Sequence, residues 1–109
     1  MAQTVVNVAS DKLAEDIVML DLRELAWFAD YFVIMSAQST RQLFALEEDI
    51  TNALKAVHVP RFHREGTATS SWLLLDFSGV IVHLFDPETR DMYGLERLWS
   101  SAPEVVRIL

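Results

Sequence analysis

Hydrophobic positions recur with two periods along the 109-residue chain. In QTVVNVASDKL (3–13), Val5, Val6, Ala9 and Leu13 fall at helical spacing, which predicts a short amphipathic first helix. IVMLDL (17–22) is apolar enough for a strand buried on both faces, and its alternate set Val18, Leu20 and Leu22 is wholly apolar. RELAWFA reads as a loop and DYFVIMS (30–36) as a second strand. In SAQSTRQ, Ser39 is followed three positions later by Gln42, the pattern of a helix start in which side chains take up free amide protons of the first turn. That helix should run to about Val57 with Leu43, Leu46, Ile50, Leu54 and Val57 on its apolar stripe, and Pro60 forbids its continuation. RFHRE (61–65), charged and adjacent to Pro60, suits an edge strand, and GTATSS a loop.

WLLLDFSGVIVHLF (72–85) holds two apolar runs around Ser78-Gly79, broken only by Asp76 and His83. A two-residue turn there sets Phe77 opposite Val80 and continues the pairing as 76/81, 75/82, 74/83, 73/84 and 72/85. Opposed residues share a face, so Leu73, Leu75, Phe77, Val80, Val82 and Leu84 form an apolar side that helices must cover. The other side carries Trp72, Leu74, Asp76, Ile81, His83 and Phe85. Its mixture fits two readings: the centre of an interface, where aromatic anchors surround a few orienting polar groups, or a second core face in which Asp76 and His83 satisfy each other or the backbone. DPETRDMY then opens a last helix, with Asp86 as N-cap, Pro87 at its first position and Glu88 in its first turn. DMYGLERLW adds Tyr93, Leu95, Leu98 and Trp99, more apolar surface than one short helix needs for docking, which favours the interface, although any one of them could simply cap the core. The predicted order is α-β-β-α-β-β-β-α: one α+β domain over residues 1–109, with helices packed on a mixed sheet.

Composition narrows what such a domain does. Hydrophobic residues make up 51% and charged residues 23%, with three Gly and three Pro, which excludes a disordered or low-complexity chain. The absence of cysteine removes disulfides, thiolate metal sites and thiol nucleophiles together and suits a reducing compartment, so a cytoplasmic location is expected. MAQTVVNVASDKLAED lacks the basic and apolar regions of a signal peptide, and no apolar run reaches membrane-span length, so a soluble, unprocessed protein is expected. Sixteen acidic against nine basic residues give a net charge of −7, which opposes binding to phosphate backbones and points to a basic protein partner.

Catalytic constellations are not apparent. Along their face Asp76 and His83 are flanked by Leu74, Ile81 and Phe85, which offer no second acid, base or nucleophile. Ser36, Ser39, Ser70, Ser71 and Ser78 lack a G-x-S-x-G elbow, and Ser78 is explained by the turn. His58, His63 and His83 do not form H-E-x-x-H, so no metal site is expected; without a P-loop or G-x-G-x-x-G, no cofactor is expected either.

LAEDIVMLDL, ADYFVIMSAQSTRQ, Glu65-Gly66 and WLLLDFSGVIVHLFDPETRDMYGLERLW together resemble the Iojap-like ribosomal silencing factor family, from about Lys12 to Pro103. The specific part is the combination W-x-x-x-D, V-H-x-F, P-E-x-R and Y-x-L-E-x-L-W. The resemblance implies an α+β fold related to nucleotidyltransferases but without catalytic residues. It implies a protein that binds the large ribosomal subunit through its ribosomal protein fourteen, blocks joining with the small subunit and represses translation. A nucleotide-binding protein of degenerate nucleotidyltransferase fold is the alternative, although no Asp-x-Asp pair follows Ser36-Ala37-Gln38-Ser39. Carried onto matching positions, the partner surface comprises Trp72, Leu74, Asp76, His83 and Phe85, with Arg90, Tyr93, Leu95 and Trp99 nearby. The sequence departs from the family at MSAQS, where many members have a small residue, Gly and Thr or Asn. A homodimer through the same aromatic face is compatible with this expectation.

Overall fold

The computed structural model describes residues 1–67, 69 and 71–109. Ser70, one of the serines considered above, and Ala68, in the predicted 66–71 loop, lie outside the described residues. The elements are α1 (Ala2–Asp11), β1 (Glu15–Asp21), β2 (Tyr31–Ser36), α2 (Thr40–Ala56), β3 (His63–Thr67), β4 (Trp72–Asp76), β5 (Val80–Phe85), α3 (Pro87–Tyr93), the single turn α4 (Leu95–Leu98) and β6 (Glu104–Ile108). The α+β class with a mixed sheet is as expected. The order is longer than expected by α4 and β6, because EVVRI lies at a sheet edge, exposed except for Val106, and shows no buried alternation that would mark it as a strand.

The six strands run in the order β3-β4-β5-β2-β1-β6. β2 and β5 pair in parallel at the centre, and every other pair is antiparallel. Position in the sheet explains the hydrophobic runs: β5 is buried at all its residues and β2 at all but its first, whereas β4 alternates. β3 is an edge as expected, with its charged residues mostly in solvent, but it is shifted two residues along from 61–65 and takes in Gly66 and Thr67 of the expected loop, which pair with Leu73 and Trp72 of β4.

On one face, α1 and α2 bury Leu73, Leu75, Phe77, Val80, Val82 and Leu84, the six residues assigned to that side. Ser39 caps α2 as expected, its Oγ accepting from the Gln42 amide at 3.1 Å. The reciprocal bond is made by the Gln38 amide, one residue before the cap, which donates to the Gln42 Oε1 at 2.8 Å. Leu43, Leu46, Ile50 and Leu54 are buried, but Val57 and Leu13, placed on apolar stripes, are exposed. Each lies past the end of its helix, where Leu13 itself and His58 take positive φ and swing the chain off the helical axis. Glu47 sits on the buried side of α2, and Arg61 and Arg64 from the β3 segment ion-pair with it.

The hairpin register is the predicted one, from Trp72↔Phe85 to Asp76↔Ile81, and the Phe77 amide donates to the Val80 carbonyl at 2.9 Å. Ser78 and Gly79 have φ of 60° and 133°, as a right-twisted two-residue turn requires. The Asp76 carboxylate accepts from the Ser78 amide at 2.8 Å, which braces that turn.

Candidate functional site: an aromatic face over the second side of the sheet

The second side of the sheet carries its own apolar cluster of Val18, Leu20, Leu22, Phe32, Ile34, Ile81 and Phe85. Loop 22–30 and the α3–α4 segment lie on that side, and their cover thins toward β4. There Trp72, Leu74 and Asp76 are half-buried, with Leu95 and Trp99 at the same intermediate exposure and Tyr93 48% exposed.

Sequence alternation treats every outward residue of the hairpin as equally open, and here the structure differs. His83 and Phe85 are 4% and 1% exposed. Trp72 stacks nearly parallel to both, with ring centroids at 6.2 Å and 5.9 Å, and Tyr93 packs on Trp72 at 5.0 Å and Phe85 at 6.1 Å. Phe32 of β2 meets His83 edge to face at 4.7 Å. In place of a contact that reaches outward, the His83 Nδ1 accepts from the Trp72 indole Nε1–H at 3.3 Å. That bond puts the ring proton on Nε2, which is buried against the aromatic cluster with no hydrogen-bond partner among the described residues. Burial pushes the imidazole pKa down to about 3, because a charged ring would lose its hydration there. Asp76 and His83 therefore do not satisfy each other: one braces the turn and the other holds the indole.

Arg90, placed beside the partner surface, is also buried. Its Nη1 donates to the Ser36 Oγ at 2.9 Å and its Nε to Glu96 at 2.7 Å, tying α3 to the end of β2. α3 itself starts as predicted: Asp86 accepts from the Thr89 amide, Pro87 opens the helix, and Gly94 ends it in the left-handed conformation. Hydrogen bonds from Ser71 and Thr89 hold the Asp86 carboxylate below its ordinary pKa. Of the nine positions proposed for the partner surface, Trp72, Leu74, Asp76, Tyr93, Leu95 and Trp99 thus present surface, while His83, Phe85 and Arg90 support it from below.

The face also contains residues that the alternation did not single out. Phe28 of loop 22–30 packs on Trp99 at 6.0 Å and on Phe32 at 6.3 Å, and Phe32 packs on Trp99 at 5.7 Å. A ring-to-ring path therefore runs from loop 22–30 through Phe32 and His83 to Trp72 and Tyr93. The signal available beforehand was the WF pair within a short loop, where large apolar side chains are unusual. Among the described residues, no three His, Asp or Glu side chains converge in metal-binding geometry. Among them too, no helix is long and apolar enough to cross a membrane.

Comparison with known proteins bears on what this face serves. A family model described as "Ribosomal silencing factor during starvation" matches residues 1–108. A protein of Halalkalibacterium halodurans named ribosomal silencing factor RsfS is 32% identical over 105 residues, covering 96% of this chain and 90% of that protein. The protein of the same name from Bacillus subtilis is 37% identical over 93 residues, covering 85% and 79%. A crystal structure of a Chromobacterium violaceum protein superposes with a TM-score of 0.86 at 29% identity, covering 91% of this chain and 82% of that one. The shared α+β fold and a family match over nearly the whole length together show that the chain belongs to the RsfS family of ribosomal silencing factors, which are not enzymes.

Proposed function

We propose that the protein silences ribosomes by binding the large subunit through ribosomal protein fourteen, so that it stands where the small subunit must dock and lowers translation. The action is steric and no bond is made or broken. The observation that carries this reading is the half-exposed aromatic face of Trp72, Leu74, Tyr93, Leu95 and Trp99, bordered by Asp76 in a chain of net charge −7. Partly open aromatic rings on a rigid sheet supply affinity at little loss of side-chain freedom, and the acidic balance steers a basic ribosomal protein toward them. Acting alone, such a contact needs to bury about 1,200–2,000 Å² in total. His83 and Phe85 contribute by fixing the plane of Trp72 from beneath. The cytoplasm is the compartment of this proposal. A homodimer through the same face would have to open before the ribosome is bound.

Trp72→Ala should weaken binding to free large subunits by about 2 kcal/mol or more, as expected of a central anchor. Asp76→Asn keeps an acceptor for the Ser78 amide while removing the charge, and should weaken binding more at low salt than at high salt. Co-sedimentation with purified large subunits on sucrose gradients measures both, with circular dichroism as the folding control. If both variants bind like the parent protein, the face is not the docking surface.

A further inference from the structure

Loop 22–30 carries features that its role in the core does not use. Trp27 is 95% exposed, and its ring contact is an edge-on approach to Phe28 at 5.8 Å. The loop is held firmly, with the Leu25 and Ala26 amides both donating to the Leu22 carbonyl at 3.0 Å and 2.9 Å. Leu22 and Ala29 are buried on either side. Trp27 is thus an aromatic ring projected into water from an anchored turn, a placement that wastes its apolar surface unless something else covers it.

The start of the same loop borders a hollow of about 540 Å³ lined by Asp21, Arg23, Glu24, Leu25, Ser101 and Pro103. Its two carboxylates differ. Asp21 accepts from Arg23 Nε at 3.0 Å and Nη2 at 2.8 Å, which neutralises both. Glu24 has no ion pair among the described residues, so the hollow keeps an uncompensated negative charge, carried three residues before the exposed indole on the same anchored turn. This combination suits a cationic side chain, which an aromatic face and a carboxylate attract together, and it repels a phosphate.

We propose that Trp27 and Glu24 form a second docking arm that receives an arginine or lysine side chain from a basic protein of the large subunit. Phe28 joins the arm to the main face through Trp99 and Phe32. The proposal rests on the ribosomal reading above and assigns it a specificity element outside the hairpin.

The test compares the affinity of the full chain, and of Trp27→Ala, Trp27→Tyr, Glu24→Lys and Trp72→Ala, for purified free large subunits at two salt concentrations. Trp27→Ala should lose about tenfold or more, and Trp27→Tyr should keep most of the affinity. Glu24→Lys should bind more weakly, most clearly at low salt. Melting temperatures should stay at the parent value, since neither side chain supports the core. If Trp72→Ala weakens binding while Trp27→Ala and Glu24→Lys bind like the parent, the arm is refuted and the main face stands. If Trp27→Ala weakens binding and Trp72→Ala does not, the arm survives and the hairpin-centred face is wrong. Tighter binding by Glu24→Lys would place ribosomal RNA against the loop and overturn the assigned occupant. Failure of the parent protein to bind large subunits would remove both readings.

Discussion

His83 makes the dryness of the aromatic face measurable. In the folded protein its imidazole is 4% exposed and its pKa is pushed down to about 3, whereas in the unfolded chain it titrates near the ordinary value of about 6.5. Between those values the unfolded chain binds a proton that the folded chain refuses. Stability therefore rises with pH across the window and falls as the pH drops from 6.5 toward 3. At pH 5 the loss relative to pH 7 is about 2 kcal/mol from this residue alone. That is a large part of the margin of a domain this size. The assay is urea unfolding at pH 7 and pH 5, for the parent and for His83→Phe. The phenyl ring matches the imidazole roughly in shape but cannot titrate, and the loss of the Trp72–His83 hydrogen bond lowers stability equally at both pH values. Subtracting the two pH dependences cancels the other titrating groups, and the remainder should be about 2 kcal/mol. If parent and variant lose stability equally between pH 7 and 5, His83 is solvated in the folded protein and the cover formed by Trp72 and Phe32 is not closed.

Glu47→Gln removes the charge that pairs with Arg61 and Arg64 beneath β3, and should lower stability by about 1–2 kcal/mol in urea unfolding; the effect is limited because both arginines reach water. Gly66→Ala should be more damaging, about 2–3 kcal/mol by the same assay. Residue 66 has φ of +83°, and a Cβ there would collide with the Trp72 carbonyl on the adjoining strand. Because that collision lies beside Trp72, the Gly66 variant should also weaken large-subunit binding if the proposed face is correct.

What could be read directly from the residues was whatever depends on near neighbours. The period-two pattern about Ser78-Gly79 gave the hairpin register and its helix-covered face, since strand geometry leaves one way to oppose the two runs. Ser39, Asp86 and Pro87 marked the starts of α2 and α3, because cap bonds span only a few residues. Motifs along most of the chain carried the family resemblance that the comparisons bear out. Only the tertiary structure decided how open the second face is. Covering His83 takes Phe32 from β2, and covering Phe85 takes Tyr93 at the end of the Gly94-capped helix. Arg90 is consumed by Ser36, 54 residues away in the chain. β6 gains its identity from pairing with β1 at the opposite end of the sequence, and Trp27 stands clear only because Leu22 and Ala29 are drawn into the core on either side of it. Alternation assigns a side chain to a face of a sheet, but whether that face is open depends on distant segments folding over it, and local periodicity carries no record of where they come to rest.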